Sequence, residues 1–353
     1  MSGYFTSRFA SLEPYVPGEQ PKNREYIKLN TNENPYPPSN KAVELACKAA
    51  ESLELYSDPD CTLLCEKLAE VFGVEPDEVI AGNGSDEILN FAFSSYCDEN
   101  TPAVFADITY GFYPVFAEIN RVPYKVIPLG EDFRLNPADY YNAGGTVFIA
   151  NPNAPTSSAL TRDEIEDIIK NNPGNIVVID EAYVDFGGET CIPLIRKYDN
   201  LIVTRTFSKS RSMAGARLGF GIASKELIKD MNTVRFSTNP YNINSMTMAA
   251  GIGALGDEEY TAANIEKVKK TREATVSGLR KLGFEVPDST TNFLFVKHSK
   301  ITGEDFYAKM KESGILIRHF SVERIKDYNR VTVGTDEQMK EFIAAAAKIT
   351  EGI

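Results

Sequence analysis

One stretch of the chain concentrates groups able to do covalent chemistry on a carbonyl compound: Thr206-Phe207-Ser208-Lys209-Ser210-Arg211-Ser212-Met213-Ala214-Gly215-Ala216-Arg217. Lys209 directly follows the apolar run Asn200–Phe207. Its amine would stand at the end of a buried strand, where it can condense with a carbonyl ligand as a Schiff base. The hydroxyls of Thr206 and Ser208 and the guanidinium of Arg217 are donors suited to a phosphate group. Taken singly, each of these residues reads better as a solvated side chain. A second stretch, Val177-Val178-Ile179-Asp180-Glu181-Ala182-Tyr183, ends a β-branched run on a carboxylate. Ligands of open α/β sheets bind at that end of a strand, although a strand-end turn residue would look the same. A third, Ala81-Gly82-Asn83-Gly84-Ser85-Asp86-Glu87, places glycines for a tight turn before a helix that Ser85 can cap. The free N–H groups of such a helix start form an anion site. A merely well-capped helix, with Asp86 and Glu87 matching its dipole, is the plainer alternative.

The conjunction says more than its members. In chain order the glycine–serine helix start, the Asn151–Thr156 turn, Asp180, Tyr183, Lys209 and Arg217 each follow a strand-like run. Together they supply a phosphate cup, an acid partner, a phenol and an amine nucleophile. A pyridoxal phosphate site needs that set.

Other motifs carry less. Gly251-Ile252-Gly253-Ala254-Leu255-Gly256 matches G-x-G-x-x-G, but the preceding Ser245–Ala250 reads as helix, whereas a dinucleotide fingerprint must follow a strand. A small-residue helix surface is expected there instead. No G-x-x-x-x-G-K-[ST] occurs, which excludes a P-loop. Cys61 and Cys65 are spaced C-x3-C, yet no second pair follows and His298 and His319 are the only histidines, so no metal site is expected. Five cysteines in a chain of 353 residues do not resemble a disulfide-stapled secreted domain. Fifty acidic against 37 basic residues, a net charge of -13, argue against nucleic acid or an anionic membrane as partner. The N-terminus shows no signal peptide, and no apolar stretch approaches the ~20 residues that span a bilayer. A cytoplasmic location is expected.

The elements that must position these groups are legible as alternation. Strand-like runs at Glu78–Ala81, Ala103–Ala106, Thr146–Ala150, Asn175–Asp180, Asn200–Phe207 and Gly219–Ala223 are separated by helical patterns at 41–54, 61–72, 85–96 and 161–171. Continuous β-branched runs suit strands buried on both faces of a parallel sheet, and the alternation indicates an α/β layered domain. Residues 241–281 turn mostly helical. Strand-like Asn292–Lys297, Gly314–Arg318 and Arg330–Val333, with helices near 303–313 and 336–349, then read as a smaller α+β domain. The length exceeds the roughly 250–300 residues at which one core stops growing. The expected division is an N-terminal arm over 1–30, a large cofactor-binding domain over 31–255 and a small domain over 256–353.

With these markers on the page, the chain resembles the fold-type-I pyridoxal-phosphate aminotransferases, and within them is most similar to the histidinol-phosphate branch. Further markers are Leu29-Asn30-Thr31-Asn32-Glu33-Asn34-Pro35, Thr109-Tyr110-Gly111 and Arg330-Val331-Thr332-Val333-Gly334-Thr335, so the likeness runs essentially end to end. It implies a mostly parallel central sheet with helices on both faces plus the smaller C-terminal domain. It implies that Lys209 holds the cofactor and moves the proton, that Asp180 pairs with the pyridinium nitrogen and makes the ring an electron sink, and that Tyr183 bonds the ring hydroxyl while Tyr110 stacks on the ring. Ser85 and Asp86 through their N–H groups, with Thr206, Ser208 and Arg217, would hold the phosphate. Tyr56 would reach that phosphate from a neighbouring subunit, which implies a homodimer with shared sites. Tyr15, Asn32, Arg318 and Arg330 would line the substrate region, Arg330 gripping an anionic group. One departure stands out: Ala154 occupies the position where the family shows an asparagine touching the ring oxygen, so Asn153 or Tyr183 is expected to cover the loss. Ser157 also replaces a usual glycine. The implied activity is ping-pong exchange of an amino group between L-histidinol phosphate with 2-oxoglutarate and imidazole-acetol phosphate with L-glutamate. A threonine-phosphate decarboxylase, an aromatic aminotransferase and a non-catalytic protein on the same scaffold remain as alternatives.

Overall fold

A computed structural model describes residue 2, residues 4–9, residue 12 and residues 15–351. Of the expected arm over 1–30, Tyr15 is described, whereas Glu13 and Pro14 before it lie outside the described residues. The strands in chain order are β1 (Ile27–Lys28), β2 (Val79–Gly82), β3 (Ala103–Ala106), β4 (Tyr124–Ile127), β5 (Thr146–Ala150), β6 (Val177–Asp180), β7 (Leu201–Thr206), β8 (Gly219–Ala223), β9 (Phe284–Glu285), β10 (Phe293–His298), β11 (Ile315–Leu316), β12 (Arg318–His319) and β13 (Asn329–Thr332). The helices are α1 (Asn40–Ala49), α2 (Thr62–Phe72), α3 (Ser85–Tyr96), α4 (Tyr113–Asn120), α5 (Arg162–Lys170), α6 (Lys225–Thr238), α7 (Ser245–Leu255), α8 (Glu258–Lys281), α9 (Gly303–Glu312) and α10 (Asp336–Thr350). Among the described residues no helix is long and apolar enough to cross a membrane.

Seven strands form the central sheet in the order β2-β8-β7-β6-β5-β3-β4. All pairings are parallel except those of β8, which runs antiparallel to both neighbours. Every residue of β5, β6 and β7 is buried, because helices cover both faces, and this is why those strands read as unbroken apolar runs. The register matters for the site. It places Thr204, Asp180 and Ala150 side by side across β7, β6 and β5, and it sets Gly219 between Gly82 and Thr206 at the same edge. The residues singled out at strand ends therefore face one rim.

Three elements of this layer leave little trace in the sequence. β4 is the sheet's edge strand and three of its four residues are exposed, so it lacks an apolar run. α4 opens on Tyr113-Pro114, and α6 is too polar to show a wide apolar stripe. The glycine run at 251–256 lies within and at the end of α7, as its helical context requires. An added Cβ on Gly253 would come within 2.5 Å of the Lys41 carbonyl oxygen, so the small residue lets α7 lie directly on α1.

The second core gathers Leu29, Phe186 and Val268 with apolar residues of α9, α10 and a four-stranded antiparallel sheet in the order β12-β13-β10-β9. The stretch Gly314–Arg318, expected as one strand, is divided between two sheets. Ile315–Leu316 pairs with β1, Arg318–His319 pairs with β13, and Ile317 between them turns inward. Pairing of β1 with β11 ties the segment that follows the arm to this second core, so Asn30 and Asn32 arrive between the two layers.

Candidate active site

Asp180 ends β6 on the rim and is 5% exposed. Its carboxylate accepts hydrogen bonds from Thr204 Oγ1 and the Ala182 N–H, both at 3.2 Å, and from the Tyr113 hydroxyl at 3.5 Å. Burial, with the negative charge of Asp86 adding to it, pushes the carboxyl up to about 7. A buried carboxylate held this way, with no cation paired to it among the described residues, is poised to meet a positive partner.

Lys209 follows the end of β7, and its amine donates to the Thr31 carbonyl at 3.2 Å, with the Tyr183 ring centroid 5.7 Å away. Its backbone is pinned from the other side by Asn34, whose amide donates to the carbonyls of Lys209 at 3.0 Å and Ser210 at 3.3 Å. The same rim carries the anion cup. Thr206 Oγ1 lies 3.0 Å from Ser208 Oγ, and Arg217 Nη1 donates to Ser208 Oγ at 3.3 Å. The start of α3 differs from the expected cap. Gly84, at φ +82°, is the N-cap, and Ser85 is the first helical residue. Glu87 instead reaches back to accept from the Asn83 N–H at 2.6 Å. Ser85 thus keeps its backbone N–H at the cup. Gly219 makes this possible: a Cβ there would stand 2.2 Å from that nitrogen.

These groups line one cleft of about 850 Å³, open to solvent: Ser85, Asp86, Tyr110, Asp180, Tyr183, Thr206, Ser208, Lys209 and Arg217, with Thr31, Glu33 and Ala154 completing the wall. A second cavity adjoins it and shares Thr31, Tyr110, Ala154, Tyr183 and Lys209. Tyr15, Asn32, Arg318 and Arg330 lie on this second wall. Arg330 Nη2 donates to the Asn30 carbonyl at 3.2 Å, but its Nε is buried without a partner. The guanidinium lies over Phe293 and Phe320, and burial lowers its affinity for its proton. Arg318 donates to the carbonyls of Val16 and Pro17 at 2.9 and 3.1 Å and so holds the arm across the opening. Neither arginine has a carboxylate partner among the described residues.

Two residues singled out in the sequence stand apart from the cleft. Asn153 is buried, and its amide is fully used: it donates to the Ile108 carbonyl at 2.9 Å and Thr156 Oγ1 at 2.8 Å and accepts from Thr109 at 2.7 Å. Ala154, not Asn153, faces the cleft, and Tyr183 is the phenol on that wall. Tyr56 is 83% exposed and stacks on Tyr241, 4.6 Å between centroids, away from its own chain's cup.

The chemical set is complete in one rim: amine, buried carboxylate, phenols and anion cup. Residues 24–345 match the family model for aminotransferase class I and II. The chain belongs to that family. Aminotransferases similar to it include a histidinol-phosphate aminotransferase of Clostridium botulinum (strain Okra), 44% identical over 350 residues and 99% of each chain, and one of Brachyspira hyodysenteriae, 46% identical over 345 residues, 97% of this chain and 98% of that one. Among solved structures, a histidinol-phosphate aminotransferase of Sinorhizobium meliloti in complex with pyridoxal-5'-phosphate superposes with a TM-score of 0.91 at 23% identity, covering 99% of this chain and 98% of the other. The fold is thus the fold-type-I aminotransferase fold. Within this aminotransferase, three contributors escape a reading of residue types. Thr31 acts through its carbonyl. Tyr113 and Thr204 lie beneath Asp180 and become visible only once the register is known.

Proposed function

We propose that this aminotransferase uses pyridoxal 5'-phosphate to exchange an amino group between L-histidinol phosphate and 2-oxoglutarate, giving imidazole-acetol phosphate and L-glutamate, as a step of histidine biosynthesis. The observation that carries the substrate is Arg330. A part-buried guanidinium with no carboxylate partner among the described residues, a buried and unpartnered Nε and Arg318 on the same wall suits an anionic ligand that would offset its desolvation. The phosphate of the amine substrate and the carboxylate of glutamate both meet that requirement in alternate half-reactions. The names of the similar chains support the same choice.

The residues present fit the cofactor. The cup of Ser85 N–H, Thr206, Ser208 and Arg217 suits a phosphate, and Gly219 lets the Gly84–Ser85 backbone pack against β8 at that place. Asp180 suits a protonated ring nitrogen. When bound, pyridoxal phosphate supplies an aldehyde that takes up amino groups and a ring that withdraws electrons from the neighbouring carbon. The chain does the rest. Asp180 stays ionised against its positive partner. Tyr183 would offer its hydroxyl proton to the ring oxygen, and Tyr110 would close the cleft as a flat wall. Arg330 and Arg318 orient the substrate so that its amine-bearing carbon faces Lys209. Lys209 Nζ takes the proton from that carbon and holds it for return.

The same reading divides the chain into an arm (1–30), a domain carrying the cup (31–255) and a domain carrying Arg330 (256–353). It also makes the protein a cytoplasmic homodimer. Leu53, Leu55, Tyr56, Leu63 and Tyr241 are exposed apolar side chains, Tyr56 stacking on Tyr241, and from that surface Tyr56 would reach a partner's phosphate. An amino-donor assay tests the substrate. Histidinol phosphate should donate, phenylalanine should not compete, and O-phosphothreonine should release no carbon dioxide. Preference for phenylalanine removes the substrate assignment, and carbon dioxide release turns it to a decarboxylase. A Lys209→Ala protein that kept the visible band of the lysine-bound cofactor would remove the cofactor assignment.

A further inference from the structure

The anion cup contains a carboxylate that the backbone role of its residue does not explain. Asp86 is the second residue of α3, and its side chain points at the cup rather than away from it. A negative charge there opposes an incoming phosphate, so its presence needs another use. Its two oxygens are divided between two partners. The Tyr110 hydroxyl donates to Oδ1 at 2.6 Å, and Arg217 Nη2 donates to Oδ2 at 3.1 Å. Burial, reinforced by Asp86 itself, raises the Tyr110 phenol well above its ordinary range, so it remains a donor. Arg217 is held on its other side as well: Nη1 donates to Ser208 Oγ and the Ala214 carbonyl, both at 3.3 Å, and Nη2 lies where a Cβ on Gly84 would be, 2.6 Å away. The guanidinium has five donors, so pairing with Asp86 still leaves donors for a phosphate. The phenol that walls the ring and the cation that meets the phosphate therefore share one acceptor.

We propose that the Asp86 side chain is a positioning residue that couples Tyr110 to Arg217, so that ring closure and phosphate capture form one cooperative unit. The inference deepens the cofactor reading above and rests on it. Asp86 touches neither the reacting carbon nor Lys209. It acts by fixing where two other side chains stand.

A double-mutant cycle tests this on cofactor-free protein titrated with pyridoxal phosphate, the affinity and wavelength being read from the visible band. Asp86→Ala should weaken binding about tenfold and shift the band as Tyr110→Phe does, since both remove the same hydrogen bond between Tyr110 and Asp86. Tyr110→Phe should weaken the wild type several-fold but add less than about twofold in the Asp86→Ala background. If the alanine variant does not fold, Asp86→Asn replaces it: its single amide oxygen can accept from the Tyr110 hydroxyl or from Arg217 but not from both, so the shared acceptor is lost. Equal or tighter binding by the Asp86 variants would make the carboxylate a competitor of the phosphate and overturn the proposal. Equal factors for Tyr110→Phe in both backgrounds would overturn it too, by showing no coupling. A wild type that takes up no cofactor at all sinks the cofactor reading first and this inference with it.

Discussion

Asp180 offers a measurement that isolates one buried group. In the cofactor-free protein its carboxyl is pushed from the ordinary 3.8 to about 7, burial being the main cause and Asp86 the second. A raised value means that the folded chain binds this proton more tightly than the unfolded chain does. The stabilising contribution is therefore complete below about pH 4 and is lost as the pH rises to about 7, levelling off above. The full loss is about 4 kcal/mol, at about 1.4 kcal/mol per pH unit. Asp180→Asn keeps an acceptor for Thr204 and the Ala182 N–H but carries no charge, so its stability lacks this dependence. The stability difference between variant and wild type, both without cofactor, should shift in favour of the variant by about 2 kcal/mol between pH 5.5 and pH 8. Denaturant titrations across that range measure it directly. Added pyridoxal phosphate should reverse the ranking at pH 8, because only the wild type gains an opposite charge beside the buried carboxylate. A difference that stays flat from pH 5.5 to 8 would show that Asp180 is already ionised in the empty protein, and the argument that it awaits a cation would fail.

Arg330→Lys should raise the KM for histidinol phosphate by roughly 10–100-fold while leaving the cofactor band in place, since a point charge replaces a planar fork; an unchanged KM would remove the anion-binding role. Lys209→Ala and Tyr56→Ala chains, each inactive alone, should regain activity when refolded together, because a mixed dimer holds one cup with both residues intact; no recovery means that Tyr56 does not serve a partner's site. Asn32→Asp should turn the Tyr183 hydroxyl proton away from the cleft and shift the cofactor band, and Tyr183→Phe should then add little; a band unmoved by Asn32→Asp would contradict the orientation assigned to that phenol. Gly253→Ala forces a Cβ against the α1 backbone and should cost about 1–3 kcal/mol, lowering the thermal midpoint by roughly 2 °C per kcal/mol with activity unaffected at lower temperature.

What the sequence disclosed was local chemistry at strand ends. Lys209, Asp180 and Arg217 are each preceded or followed by a short apolar run, and that pattern can be read without knowing which strands are neighbours. The register could not be read. It brings Thr204 beside Asp180, and the fold brings Tyr113 there from 67 positions earlier. Nor does residue type reveal a backbone acceptor, so the Thr31 carbonyl that holds the lysine amine, 178 positions away, left no signal. The group of buried Glu181, Arg205 and Ser210 with the more exposed Asp185 was missed for the same reason. Arg205 pairs with Asp185, which also accepts from Ser210, and Glu181 lies 3.8 Å from Arg205, so charges that look solvated in the sequence brace the two strand ends from below. Position in a motif also misled at one site: Asn153 carries the amide expected near the ring, but the turn spends it on Ile108, Thr109 and Thr156.

That last point bears on how the site manages without the family's asparagine. Ala154 faces the cleft and offers no side-chain donor, so on the reading proposed here the ring oxygen of a bound cofactor would take its hydrogen bond from Tyr183. A phenol has one proton, and it is useful only if nothing else accepts it. Asn32 meets this condition by donating, through Nδ2 at 2.9 Å, into the oxygen of Tyr183 instead of accepting from it. The Thr332 hydroxyl supports this orientation, accepting from the Asn32 backbone N–H at 2.9 Å and donating to Oδ1 at 3.2 Å, while the Asn32 carbonyl accepts from Asn292. Thr332 belongs to β13 and Asn292 immediately precedes β10, the two strands that carry and flank Arg330. On that reading, the proton that Tyr183 would offer the cofactor and the cation that Arg330 would offer the substrate are oriented by one small sheet, which links the two cavities through Asn32 between them.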